Sequence, residues 1–165
     1  MVVAALLVNG PQEARDTSAQ GLSITGLVDH KQVFAIEDLK SMPNVTVRSE
    51  LICVSGKSFG THNWTGVRLG ALLEEAGVQP GVVKVAFRAS GNYSTDLTIE
   101  DATRGDVIVA LYEDGVALNT HTKLVVPGKW GYKWIDGIEE IELVDYDYKG
   151  TWERSGYSDS GNVSK

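Results

Sequence analysis

ELICVSGKSFGTHNWTGVRLGALLEEAG, residues 50–77, decides how the rest of the chain is read. It opens on the end of an apolar run, carries the chain's only cysteine at Cys53, passes through polar residues broken by glycine, and closes on a helical pattern. From Gly66 to Gly77, Val67, Leu69, Leu72, Leu73 and Ala76 fall near one helical face, and Gly77 suits the position just past a helix end. Upstream, Val45–Val54 is rich in β-branched residues and alternates at first, so it predicts a strand leading to Cys53. The polar, glycine-broken stretch just after Cys53 is expected to be a loop. A packing cysteine usually sits inside an apolar run, whereas Cys53 stands at the mouth of one. Packing, nucleophilic and metal-ligand roles are all open from this stretch alone.

Outward from it, strands and short helices interleave irregularly. Gly21–Val28, Val82–Ser90 and Ile138–Val144 read as strands, and Ala35–Met42 reads as a short helix stopped by Pro43. Val107–Leu118 reads as a strand, a Glu-Asp-Gly turn and a return strand. Thr98 and Asp101 form a capping-box pattern, with Asp in place of Glu, at the head of one helical turn. The Tyr and Trp residues of the polar tail are expected to pack back on the domain. No regular βαβ rhythm appears, so the pattern indicates an α+β fold rather than a doubly wound sheet.

The chain has 165 residues, enough for one domain with its own core. Its formal net charge is -7, with Lys and Arg scattered, which argues against nucleic-acid binding. One cysteine excludes an intrachain disulfide and a Cys-rich zinc site. No apolar run reaches the about 18 residues of a membrane span. Val2–Val8 reads either as a first strand or as the remnant of an export signal or anchor, within an N-terminal segment taken as residues 1–21.

Two catalytic patterns fail. Ser55–Ser58 reads SGKS, but Leu51 stands where a phosphate-binding loop needs its first glycine. His30, His62 and His121 are far apart in sequence, and nothing local supports a Cys53–His nucleophile pair.

Several further strings follow in order: ITGLVDHKQVFAIEDLKSMP, LICVSG, NWTGVRLGALLEEAG, SGNYSTDLTIEDA, VALYEDGVAL, LVVPGKWGYK and GTWERSGY. Together they resemble the molybdopterin-binding oxidoreductase domain of the sulfite oxidase family, which includes the periplasmic methionine-sulfoxide reductase catalytic subunits. The resemblance runs from about Leu22 to Gly161, leaving 162–165 as a tail. It implies the family's fold, mixed β-sheets with short helices, and a single thiolate, Cys53, on molybdenum beside the pterin dithiolene. A soft ligand suits a metal already held by sulfur. It further implies that Gly131, Tyr132 and Lys133 contact the pterin, and that His121 and Lys123 belong to the substrate and cofactor loop. Read without the resemblance, His121 is equally a structural histidine, and Gly131–Lys133 a glycine turn with a solvated lysine.

This chain departs from the family pattern in three places. The loop HTKLVVP is several residues short, and Lys123 falls where the family has Arg, which offers a planar fork rather than a point charge. Asp136-Gly137 replaces a Lys-Trp pair. A sulfite site needs clustered cations for a dianion, and this chain has fewer of them. The resemblance thus implies a molybdenum-dependent oxidoreductase moving an oxygen atom on a small-molecule substrate, with a separate electron-transfer partner. The alternative is a binding or structural domain that keeps the fold without cofactor or catalysis.

Overall fold

The computed structural model describes residues 21–119 and 121–164. The alternative readings of Val2–Val8 lie outside them.

Two five-stranded sheets share one core. In the first, β1 (Gly21–Gly26) pairs antiparallel with β2 (Gln32–Ala35) and parallel with β10 (Ile138–Val144). Antiparallel β5 (Lys84–Ala89) and β6 (Ser94–Thr98) extend it. In the second, β3 (Val45–Ile52), β4 (Ser58–Arg68), β7 (Ile108–Glu113) and β8 (Val116–Ala117) follow in order, with β9 (Lys123–Val125) also on β7. Short helices close the gaps: α1 (Ile36–Ser41), α2 (Leu69–Ala76), α3 (Ile99–Ala102) and α4 (Thr151–Arg154). Helices this short cover strand ends rather than cross between parallel neighbours, so the α+β class is observed.

The amphipathic pattern of α2 does what its spacing requires: Leu69, Leu72, Leu73 and Ala76 are all buried. Gly77 ends the helix at φ 75°, and the Thr98 hydroxyl caps α3 by accepting from the Asp101 N–H at 3.1 Å.

The segment after Cys53 differs from the expected loop. Only the turn between β3 and β4 is irregular there. The Cys53 N–H donates to the Lys57 carbonyl at 2.9 Å, and the Gly56 N–H to the Cys53 carbonyl at 2.8 Å. From Ser58 on, the chain is strand, and α2 begins only at Leu69. The polar residues succeed in a strand because they pair across it: Thr46 and Thr65 share a hydroxyl hydrogen bond at 2.7 Å, and Ser49 faces His62. Pairing with β3 and β7 outweighs local composition. Gly66 has its own reason to be glycine, since a Cβ there would lie 2.0 Å from the Val109 carbonyl oxygen of β7.

Candidate active site

A cleft of about 480 Å³ opens where the ends of both sheets approach each other. Leu51, Cys53 and Val54 enter it from the end of β3, and Phe59 from β4. Ala89, Ser90 and Tyr93 come from the β5–β6 connection. The segment after β9 supplies Gly131, Tyr132, Trp134 and Asp136; Lys123 comes from β9 itself and Trp152 from α4.

The only cysteine is therefore in the cleft wall. Cys53 is a half-buried free thiol just past the last residue of β3. The Ser55 hydroxyl, then the Ser55 N–H, hold its thiol below the ordinary value, with the Val54 N–H and the Lys57 charge adding to them against partial burial. Gly131 packs directly on this segment: a Cβ there would lie 3.3 Å from the Ile52 carbonyl oxygen and 3.8 Å from the Cys53 Cα. A glycine at 131 thus brings the 3₁₀ turn Gly131–Lys133 against the cysteine while leaving the space beside it open.

That turn is anchored from below the cleft surface. Lys133 does not line the cleft. It is fully buried, with Nζ 2.7 Å from Glu153 Oε1, 2.8 Å from the Asp96 carbonyl oxygen and 3.4 Å from Asp96 Oδ1. The solvated turn lysine expected as one alternative is thus corrected: desolvation is offset by two carboxylates from β6 and α4. Lys84 completes the cluster, donating to Asp96 at 2.6 Å and Asp159 at 2.9 Å. Burial pushes the Asp96 carboxyl up, against the Lys133 charge that lowers it. The phenols fix the same turn. Tyr93 donates to the Tyr132 carbonyl at 2.5 Å, and Tyr132 to the Ser158 carbonyl at 2.7 Å. Burial pushes the Tyr132 phenol up to about 12, so it stays a donor at neutral pH.

Lys123 lines the cleft, 5.9 Å above the Trp64 ring and 3.9 Å from Asp136 Oδ1. Its backbone bridges to Asp136. His121 sits at the rim, its Nε2 3.4 Å from the same Asp136 oxygen. Asp136 thus gathers the two residues of the shortened loop. The Thr122 hydroxyl between them is buried with no hydrogen-bond partner among the described residues. Of the sequence candidates, Cys53, Lys123, Gly131 and Tyr132 share the cleft, His121 borders it, and Lys133 supports it.

The aromatic wall, Phe59, Tyr93, Trp134 and Trp152, went unread as site. Trp152 stands in the quoted string GTWERSGY and Trp134 directly follows LVVPGKWGYK, but spacing alone does not reveal which way they face. Trp152 stacks on Tyr132 with ring centroids 6.3 Å apart and meets Tyr157 edge-on at 4.7 Å, so the aromatic tail does pack back.

Phe59 is held by a charged clamp. His62 Nδ1 lies 2.7 Å from Asp114 Oδ2, and its Nε2 lies 3.0 Å from the Phe59 carbonyl oxygen. Both partners accept, so both ring nitrogens must donate, which favours imidazolium. The Asp114 hydrogen bond first, then the Phe59 carbonyl, raise the His62 pKa from its ordinary 6.5. A raised folded value adds stability fully present below 6.5 and lost as pH climbs through that raised value. A ring-proton titration of His62 by NMR is expected to give a midpoint above 6.5 that falls in Asp114→Asn, with the Phe59 carbonyl and Glu113 still raising it, and Phe59 amide shifts following the same curve.

Among the described residues, no helix is long and apolar enough to cross a membrane. A family model for the oxidoreductase molybdopterin binding domain matches residues 9–152. The uncharacterized oxidoreductase YuiH of Bacillus subtilis is 28% identical over 154 residues, covering 89% of this chain and 76% of YuiH. The protein-methionine-sulfoxide reductase catalytic subunit MsrP of Gluconobacter oxydans is 30% identical over 155 residues, covering 81% of this chain and 49% of MsrP. In three dimensions, the sulfane dehydrogenase SoxCD of Paracoccus pantotrophus superposes with a TM-score of 0.72 at 26% identity, over 85% of this chain and 41% of that one. The chain thus spans about half or less of the latter two. With the sheets, the cleft and the family match in agreement, the chain belongs to the oxidoreductase molybdopterin-binding domain family.

Proposed function

We propose that this chain is the catalytic domain of a molybdenum-pterin oxidoreductase that moves an oxygen atom between water and a small substrate. Each turnover exchanges two electrons and two protons, with a separate redox protein as electron partner. The observation that carries the reading is the position of Cys53: the one thiol of the chain, held toward thiolate, opens into the cleft against Gly131. These residues fit the group. A soft anionic donor suits molybdenum, the glycine leaves room beside it, and the cleft is large enough for a flat heterocycle. Bound there, the cofactor supplies the two-electron oxygen-atom chemistry.

The chain's own residues do the rest. Cys53 would hold the metal, with the Ser55 hydroxyl and N–H lowering the pKa of its thiol. The Gly131 and Tyr132 backbone, fixed by Tyr93 and by the buried Lys133, would form the wall that holds the pterin. Lys123 would supply the cleft's cation toward a bound substrate, and His121 orients Asp136 at the rim. Phe59, Trp134 and Trp152 exclude water from the site.

A second reading, a domain that kept the fold without the cofactor, rests on one observation. The ammonium of Lys133 is engaged with buried carboxylates, and that of Lys123 lies near Asp136, which leaves little positive charge for a pterin phosphate. Production in a host that makes the cofactor, followed by assay of molybdenum and of oxidised-pterin fluorescence, separates the two. Near-stoichiometric metal and pterin support the enzyme. Well-folded protein that carries neither, even after reconstitution, overturns it.

A further inference from the structure

We propose that Asp136 is the charge selector of the cleft: it cancels Lys123 and tunes the site for neutral oxygen-bearing substrates with apolar flanks, against oxyanions. The inference rests on the oxygen-atom-transfer reading and names the substrate class for that site. Among the described residues, Lys123 is the one cation lining the cleft and Asp136 the one carboxylate, with Nζ and Oδ1 3.9 Å apart. His121, the other titratable group at this rim, leans on the same oxygen at 3.4 Å. The two other cations nearby are turned to other tasks. Lys57 lies over the Phe59 ring at 5.1 Å, and Lys133 is buried against Glu153.

Two polar hydrogens of the wall are likewise taken. Tyr93 donates to the Tyr132 carbonyl, and the Trp134 indole donates to the Lys129 carbonyl at 3.1 Å. What remains is an apolar and aromatic surface, Leu51, Val54, Phe59, Tyr93, Trp134 and Trp152, around a lysine whose charge is balanced. A dianion entering this cleft meets no net positive field and would leave its hydration shell uncompensated. A neutral S=O or N=O dipole loses little hydration, takes one hydrogen bond from Lys123, and buries its apolar flanks on the aromatic wall. Asp136 does not act on the reacting atoms. It is a specificity residue that acts through Lys123, fixed opposite it by an isolated backbone bridge between β9 and the segment before β10.

The test uses the purified full chain without added cofactor and follows backbone amides by NMR. Dimethyl sulfoxide is the neutral probe and sulfate the dianionic one, both at low, matched ionic strength. In the wild type, dimethyl sulfoxide is expected to shift the amides of Ser90, Lys123 and Trp134, while sulfate leaves them in place. Asp136→Asn keeps the shape and removes the charge. Its cleft is expected to bind sulfate about tenfold more tightly, from the Coulomb energy of a dianion with one carboxylate about 6 Å away in water. The gain is expected to disappear in Asp136→Asn/Lys123→Gln, which keeps the fold but removes the cation. Because the Asp136 side chain is more than half exposed, the substitution leaves the fold intact, and a denaturation curve checks that directly. Sulfate that shifts the wild-type cleft amides as strongly as those of Asp136→Asn overturns the inference, and so does a variant that gains no sulfate affinity. Neither outcome depends on metal loading, so the proposed activity stands or falls separately.

Discussion

Lys133→Met is expected to lower the stability of the domain by about 3–5 kcal/mol, the cost of removing one partner from a buried ion pair. The ammonium holds Glu153 at 2.7 Å where both side chains are closed to solvent. Glu153 keeps one other partner, the Thr95 hydroxyl at 2.7 Å, and its second carboxylate oxygen has no hydrogen-bond partner among the described residues. Asp96 suffers less, because Lys84 still donates to it at 2.6 Å and the Gly150 N–H at 2.9 Å. The damage in the single variant therefore centres on Glu153, which must either protonate or draw in water. Lys133→Met/Glu153→Leu replaces the pair by apolar groups of similar volume and is expected to recover most of the loss, whereas Glu153→Leu alone leaves the lysine on Asp96 and costs less than Lys133→Met. Urea denaturation of the four proteins reads all three statements. An additive double variant would mean that the pair is not the source of the stability.

Lys133 also marks how far the sequence could be read. GKWGYK showed a glycine turn carrying a lysine, and both readings of that lysine, cofactor contact or solvent, left it near the surface. The partners that bury it lie 37 and 20 residues away in Asp96 and Glu153, on β6 and α4. Neither element carries a legible pattern. In β6, Ser94, Thr95 and Asp96 are all buried, so a strand interior reads as a polar loop. The helical pattern of α2, the alternation that opens β3 and the cap at Thr98 were legible because each is a local spacing rule. The position of Cys53 at a strand end was legible for the same reason. What it faces was not, because Gly131 and the aromatic wall come from separate elements, β4, the β5–β6 connection, the segment after β9 and α4, which only the tertiary fold brings together. The strand character of Ser58–Arg68 has the same origin. Asp136 shows the converse: its identity as a departure from the family pattern was plain in the sequence, but its partners His121 and Lys123 became visible only once the backbone bridge was in place.

Cys53→Ser is expected to lower bound molybdenum by more than about tenfold in protein made in a cofactor-producing host, with the fold unchanged. Loss of a group merely outside the coordination sphere typically costs about 10–100-fold in affinity, and a direct ligand costs at least as much. Serine keeps the size of the side chain, but its hydroxyl is a hard donor that does not ionise near neutral pH, so the soft anionic ligand is lost. The substitution is mild for the fold. The hydrogen bonds that shape this turn, Cys53 N–H to the Lys57 carbonyl and Gly56 N–H to the Cys53 carbonyl, use the backbone and not the sulfur. The thiol is half-buried rather than enclosed, so stability is expected to move by no more than about 0.5 kcal/mol. A structural cysteine would give the opposite pattern, with metal content retained and stability reduced. Ser55→Ala supplies the intermediate case. It removes the hydroxyl that contributes most to lowering the Cys53 pKa, so the thiol is expected to titrate higher, and alkylation by iodoacetamide at pH 7 to slow, while the sulfur remains available to the metal. Metal retained in Ser55→Ala and lost in Cys53→Ser would assign the ligand to the sulfur itself rather than to the turn that carries it, whereas metal retained in both would remove Cys53 from the site.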